Sequence, residues 1–253
     1  MVTWPPPLGI ISFRRRHAGE ITHRVGAIGR LSVPSRRWPG RPRQLFLRPF
    51  RRRPPLRRLA PWPGLLAARL AARKETANIA VGNMGISGNR VLREGAGSSA
   101  VARFDRDVLS QSGAKWVMLL EGINDIGTGP PTEPVTLEQL TGAYKQIIEQ
   151  AHTHGIQVIG CTLTPFLGAP YQREAGEPLR EAVNSWIRTS GAFDAVVDLD
   201  AAIRDPNGPK RVRAEFDPGD HLHPNDASYQ AMADAVDLSI FTGKRAAVAP
   251  GRR

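Results

Sequence analysis

The chain has 253 residues, a formal net charge of +12 and one cysteine, Cys161, which excludes a disulfide framework and a cysteine metal cluster. Residues 1–75 carry 18 Lys and Arg against two Glu, which leaves 17 basic and 21 acidic side chains for residues 76–253. The positive charge therefore belongs to the N-terminal segment, and this distribution argues against nucleic-acid binding by the remainder of the chain.

Residues 1–59 are predicted to be a basic leader, rich in Arg and Pro, that is disordered or encoded out of frame. Residues 1–75 hold 11 of the 22 prolines, and no helical or alternating apolar pattern continues through the leader. A basic arm that binds RNA, DNA or an anionic membrane is the alternative. No apolar run reaches transmembrane length and the first residues lack the pattern of a secretory signal, so the sequence leaves the cellular location open.

Residues 60–243 are predicted to form one domain, followed by a basic tail at 244–253. Apolar patterns and helix caps predict, in chain order, a helix at 65–73, a strand at 78–81, a helix at 98–110, a strand at 116–120, a helix at 137–154, a strand at 157–162, a helix at 177–189, a strand at 195–199 and a helix at 225–241. This alternation is typical of an α/β fold with a parallel sheet covered by helices on both faces. Sites in such sheets form at the carboxyl ends of the strands.

A polar loop before the last predicted helix carries Asp220 and His223. An Asp three residues before a His can hold the imidazole by one nitrogen and leave the other nitrogen available as a general base. Asp217 is the second choice for the orienting carboxylate, and its other interpretation is a turn before Pro218. His221 is interpreted as a solvated neighbour.

Two further polar loops, at residues 82–89 and 121–127, follow predicted strands. Either loop alone is typical of a turn, because Gly, Asn and Asp favour turns. Together with a His–Asp pair, however, the two loops supply donors for acyl transfer: Gly88 offers a backbone N–H and Asn124 a side-chain amide to a developing oxyanion. Glu121 either lines this pocket, interacts with a helix dipole or lies on the surface.

These blocks resemble the SGNH hydrolase family, also called the GDSL esterase/lipase family. Gly88 lies in Gly-Ile-Ser-Gly, Asn124 in Gly-Ile-Asn-Asp, and Asp220 with His223 in Asp-x-x-His-Pro. The stretch 120–127 is most similar to an arylesterase and acylhydrolase subgroup whose members are often exported. The resemblance implies a flavodoxin-like three-layer sandwich, His223 as the base, Asp220 as its orienter, and Gly88 and Asn124 in the oxyanion hole. It implies neither a metal nor an organic cofactor.

The first block of the family, a strand leading into Gly-Asp-Ser, is missing from this chain. The nearest match is an apolar stretch at 25–29 followed by Arg30, Leu31 and Ser32, so Ser32 is a candidate nucleophile that stands one residue out of register. Ser87 is interpreted as a turn residue. A one-base shift of the reading frame can convert Arg-Leu-Ser to Asp-Ser. We therefore expect that residues from about 30 to 58 do not have the family's natural sequence, and that the family's first strand is lost with it.

The predicted function is a serine esterase or acylhydrolase that cleaves carboxylic esters, such as acetyl or acyl groups on carbohydrates. One alternative is an inactive member of the family that lacks its serine. The other is a nucleic-acid-binding protein that acts through the basic N-terminal arm. The sequence specifies neither the ester nor the oligomeric state.

Overall fold

The computed structural model describes residues 10–15, 61–128 and 132–243. Its strands are β1 (Ile10–Arg15), β2 (Ile79–Asn83), β3 (Ala114–Leu119), β4 (Gln157–Cys161), β5 (Ala195–Val197), β6 (Arg204–Asp205) and β7 (Gly208–Val212). Its α-helices are α1 (Trp62–Ala71), α2 (Ala100–Phe104), α3 (Ile123–Thr128), α4 (Leu137–Thr153), α5 (Gly176–Thr189), α6 (Leu199–Ile203) and α7 (Asp226–Asp234). No helix in these ranges is long and apolar enough to cross a bilayer.

Five strands form one sheet in the order β2-β1-β3-β4-β5, and β6 pairs with β7 in a separate hairpin. The pairs β3–β4 and β4–β5 are parallel, whereas β1 runs antiparallel to both of its neighbours, β2 and β3. Four of the five strands therefore point the same way, and their carboxyl ends share one edge of the sheet. The predicted α/β class is confirmed, and the sheet is mostly parallel.

Strand β1 is the largest difference from the sequence prediction, because it comes from the segment assigned to the leader. Ile10, Ile11 and Phe13 are buried, with exposed fractions of 0–1%. These apolar side chains belong to an interior strand between β2 and β3, where we expected a lost strand. The stretch 25–29, which the sequence favoured for this position, lies outside the described residues.

The direction of β1 has a consequence for the edge where the other four strands end. Ile10 pairs with Leu119 at the carboxyl end of β3, and the Ile10 carbonyl accepts a hydrogen bond from Met84 N at 2.8 Å. The chain therefore enters β1 at the carboxyl edge of its neighbours and leaves it at Arg15, at the opposite edge.

The two faces of the sheet carry separate aromatic clusters. Phe13 and Trp116 are cross-strand partners, and both rings contact Phe241, with centroids 4.8 and 5.6 Å away. Gly160, by contrast, pairs with Leu119, three residues from Trp116, so it faces the other side, where a Cβ would lie 2.7 Å from the Phe193 ring. Helices therefore cover both faces, as the alternating pattern predicts.

Several helix boundaries differ from the prediction for local reasons. The predicted helix at 98–110 is α2 followed by a π-helical turn at Asp105–Leu109. The last predicted helix stops at Asp234, and Asp237 then caps a short 3₁₀ helix at Leu238–Thr242 by accepting a hydrogen bond from Ser239 N. Helix α4 matches its prediction closely, because Thr136 and Gln139 form a capping box ahead of a regular apolar face.

Candidate functional site

The Asp220–His223 pair forms as its spacing predicts. His223 Nδ1 lies 2.6 Å from Asp220 Oδ2, while Asp220 Oδ1 accepts hydrogen bonds from the backbone N–H groups of Leu222 and His223. Burial acts to raise the pKa of Asp220, but the hydrogen bonds and charge of His223 outweigh it and hold that pKa below its ordinary value. Asp220 thus stays ionised and fixes the ring through Nδ1, and Nε2 has no hydrogen-bond partner among the described residues.

A second, unpredicted pair lies beside it. His221 Nδ1 is 2.5 Å from Asp217 Oδ2, and Asp217 Oδ1 also accepts from the backbone N–H groups of His221 and Gly219. The expectation of a solvated His221 omitted this carboxylate: 45% of the side chain is exposed, but the ring is also held by Asp217. Its φ of 59° is the only positive value for a non-glycine in the described part of the chain, and the Asp217 carboxylate stabilises that turn.

The loops of Gly88 and Asn124 meet directly. Asn124 Nδ2 donates to the carbonyl of Asn89 at 2.9 Å, immediately after Gly88, whose φ of +73° favours a glycine. Asn124 does not lie in a loop, as the sequence suggested, but in the first turn of α3, which begins at Ile123. A backbone N–H donor and a side-chain amide donor therefore stand at the carboxyl ends of β2 and β3.

A buried arginine connects the two loops through hydrogen bonds. Arg103, 1% exposed, donates to the Met84 carbonyl, to Asn89 Oδ1 and to Glu121 Oε1, at 2.5, 2.9 and 3.3 Å. Glu121 is neither at the surface nor in an open pocket, because it is 4% exposed beneath the loops. Burial raises its pKa well above the ordinary range, although the Arg103 charge acts to lower it. The pair makes the loops rigid rather than reactive.

Asp125 adds a second tie between the same two loops. Its carboxylate accepts hydrogen bonds from the backbone N–H groups of Val91 and Leu92, at 2.8 and 3.0 Å. Burial raises the pKa of Asp125 despite these bonds. The residue next to Asn124 therefore serves to hold α3 against the segment that follows Gly88.

The sequence reasoning missed the loop at residues 162–175, which joins β4 to α5 and reaches both halves of the site. The Tyr171 hydroxyl lies 3.1 Å from Asn124 Oδ1, and the Asp220 charge contributes to a raised pKa of Tyr171, after burial. In the same loop a Cβ at Gly168 would lie 3.0 Å from Cδ2 of His221. The signal available in the sequence was its position, directly after the carboxyl end of a predicted strand.

No serine within residues 10–15, 61–128 and 132–243 hydrogen-bonds to the His223 ring, whose one side-chain partner there is Asp220. Ser12 is buried in the middle of β1, and Ser87 lies in the turn before Gly88, as interpreted from the sequence. Ser32 lies outside the described residues. An Asp–His pair and two N–H donors are thus present among the described residues, and none of their serines contacts the His223 ring through a hydrogen bond.

Comparisons with known proteins identify the family of this chain. A model of the GDSL-like lipase/acylhydrolase family matches residues 50–231, a range that begins after both β1 and Ser32. No curated protein sequence matches the chain.

Solved structures share the fold at low sequence identity. One, assigned to the G-D-S-L lipolytic family and from Desulfitobacterium hafniense DCB-2, is 18% identical with a TM-score of 0.54, covering 70% of this chain and 86% of its own. The acetyl xylan esterase AlAXEase is 20% identical with a TM-score of 0.54 over 70% and 88% of the chains. The acetylxylan esterase Axe2 from Geobacillus stearothermophilus is 21% identical with a TM-score of 0.52 over 69% and 78%. At these identities the likeness concerns the fold.

Proposed function

Because this chain belongs to the GDSL-like lipase/acylhydrolase family, we propose that residues 60–243, completed by β1, carry an ester-hydrolase site for acetyl or short acyl esters of carbohydrates. The observation that carries the proposal is the Asp220–His223 pair, with 2.6 Å between Oδ2 and Nδ1. The fold shared with two acetylxylan esterases supports a carbohydrate ester as the substrate class.

The proposed chemistry assigns one role to each group. His223 Nε2 accepts the proton of an attacking hydroxyl, and Asp220 stabilises the imidazolium that results. The Gly88 N–H and the Asn124 amide donate to the carbonyl oxygen as it becomes an oxyanion. His223 then returns the proton to the departing alcohol. A water molecule, deprotonated in the same way, releases the acid from the acyl intermediate.

The described residues offer no group that we can assign as the nucleophile. In the family that the motifs resemble, a central strand leads directly into the catalytic serine, but here β1 runs antiparallel to β2 and β3 and ends at the edge opposite their carboxyl ends. This orientation favours a second candidate, a member of the family that keeps its base and oxyanion donors and turns over slowly. The nucleic-acid alternative rests on residues 1–59, of which only 10–15 are described, and no observation favours it.

Residual hydrolysis tests the proposed base without requiring the serine. A site that lacks one triad member keeps a small rate from its remaining groups. We expect the purified chain to hydrolyse p-nitrophenyl acetate slowly but above buffer, and His223→Ala to bring the rate to the buffer level. A rate above buffer that is unchanged in His223→Ala would remove His223 from the mechanism.

A further inference from the structure

Tyr171 is the one side chain of the 162–175 loop that contacts a proposed oxyanion donor. Its hydroxyl lies 3.1 Å from Asn124 Oδ1. The phenol keeps its proton at neutral pH, because burial and then the nearby Asp220 charge raise its pKa. Tyr171 is therefore a hydrogen-bond donor and Asn124 Oδ1 the acceptor, which fixes the orientation of the carboxamide.

The contacts of Asn124 leave one donor unassigned. A carboxamide has one oxygen and two N–H bonds. The oxygen accepts from Tyr171, and one N–H donates to the Asn89 carbonyl at 2.9 Å. A flipped amide would point its oxygen at the Asn89 carbonyl, which is repulsive. The two contacts together therefore hold the second N–H in one direction, available to a substrate oxygen.

Helix α3 is shaped to admit the tyrosine ring. Gly127 lies three residues after Asn124, on the same side of the helix. A Cβ at Gly127 would clash with Cδ2 of Tyr171, so no other residue fits there without displacing the ring. The ring also packs near Phe166, with centroids 6.3 Å apart. The sequence thus provides both the donor and the space that it occupies.

We propose that Tyr171 is a positioning residue that aims the Asn124 amide at the oxyanion. The proposal rests on the proposed function, in which Asn124 is an oxyanion donor. Tyr171 acts through Asn124 and not on the substrate, so its removal should cost activity only while Asn124 is present. Its hydroxyl also joins the Asn124 helix to the loop after β4.

A double-mutant cycle on the residual hydrolysis tests this dependence. We expect Tyr171→Phe to lower kcat about threefold to tenfold with KM unchanged, the range for one lost hydrogen bond. In an Asn124→Ala background the same change should have no effect. Tyr229→Phe is the matched control, since its buried hydroxyl has no partner among the described residues. Equal effects of Tyr171→Phe with and without Asn124 would overturn the proposal.

A spectroscopic readout keeps the test independent of turnover. In ¹H–¹⁵N spectra of the full chain, the Asn124 side-chain amide is identified by its loss in Asn124→Ala. We expect Tyr171→Phe, but not Tyr229→Phe, to shift this amide pair and speed its hydrogen exchange. An unmoved Asn124 amide would refute the positioning role. If Asn124→Ala itself leaves hydrolysis unchanged while the amide shifts, the contact is confirmed and the proposed oxyanion role fails instead.

Discussion

At the scale of single residues, two Asp–His pairs lie within seven positions of each other, and only one is assigned to the chemistry. Both rings are held through Nδ1 by a carboxylate. After burial, the Asp220 charge contributes to the raised pKa of Tyr171, which contacts the proposed oxyanion donor Asn124, whereas the His221 ring packs at Gly168. The neighbourhood, rather than the pairing itself, therefore favours His223 as the base.

Replacing each histidine separately tests that assignment. We expect His223→Ala to abolish the hydrolysis that the chain shows, and His221→Ala to change it by less than about tenfold, because only the first removes the base. Hydrolysis of p-nitrophenyl acetate by the two variants is the measurement. Equal losses would show that the Asp217–His221 pair takes part in the chemistry.

Asn124 is expected to act in the transition state. We predict that Asn124→Ala lowers kcat by roughly 10²–10³ where the full reaction operates, and by less in the residual reaction, with KM little changed. Steady-state kinetics separate the two parameters. A raised KM with kcat maintained would make Asn124 a substrate-binding or structural residue.

At the scale of elements, regular patterns were predicted well and context-dependent ones were not. Helix α4 and strand β4 follow from apolar periodicity over their own residues. Helix α3 was missed because Gly122, Asn124 and Asp125 are typical of turns, and tertiary hydrogen bonds to Asn89, Val91 and Leu92 override that preference. The Asp220–His223 contact could be predicted from its spacing, whereas the Tyr171–Asn124 contact could not, since it joins residues far apart in the chain.

Strand β1 was missed for a related reason. Its apolar residues are few and stand among arginines and prolines, so no local signal distinguishes them from the leader. Strand direction is also a non-local property, because it depends on which neighbours pair with the strand. Because its direction is reversed, β1 does not take the role of the family's first strand, which leads into Gly-Asp-Ser.

Phe13→Ala tests whether β1 belongs to the folded domain. Phe13 is fully buried against Phe241, so its truncation should lower the free energy of unfolding by about 3–5 kcal/mol. Urea denaturation is the measurement, and Val196→Ala, at a 37% exposed position, is the control with a small expected effect. An unchanged urea midpoint in Phe13→Ala would show that residues 10–15 belong to the leader and not to the folded domain.

At the scale of the whole molecule, two groups of carboxylates act in different pH ranges. The lowered pKa values of Asp217 and Asp220 contribute stability above their ordinary value of 3.8, and this is lost as pH falls through the lower folded values. The contribution of Glu121 to stability has the opposite pH dependence. Its raised pKa contributes stability below 4.5 that is lost as pH rises through the folded value.

Glu121→Gln should therefore flatten the decline of stability above pH 4.5. The slope removed is at most about 1.4 kcal/mol per pH unit, the value for one proton. The free energy of unfolding from urea titrations between pH 4.5 and 8 is the measurement. Asp125 retains its own contribution of the same sign, so some decline remains. Parallel curves for the two proteins would show that burial does not raise the pKa of Glu121.

We propose that this chain keeps the base and the oxyanion donors of an ester hydrolase, while β1 ends at the sheet edge opposite the carboxyl ends of β2 and β3 and so presents no serine to them. A gain of function would support it. Arg30→Asp combined with Leu31→Ser places Asp-Ser directly after Gly29, and should raise hydrolysis if the 25–29 stretch replaces β1. That gain should disappear when His223→Ala is added.

The most direct test needs only the unmodified chain and its Ser32→Ala variant, compared in p-nitrophenyl acetate hydrolysis. Our account predicts a low rate that is the same in both proteins, because the rate comes from His223 and the oxyanion donors without a serine nucleophile. Rapid hydrolysis by the unmodified chain that is lost in Ser32→Ala would contradict it, and would show that Ser32 reaches His223 and completes the site.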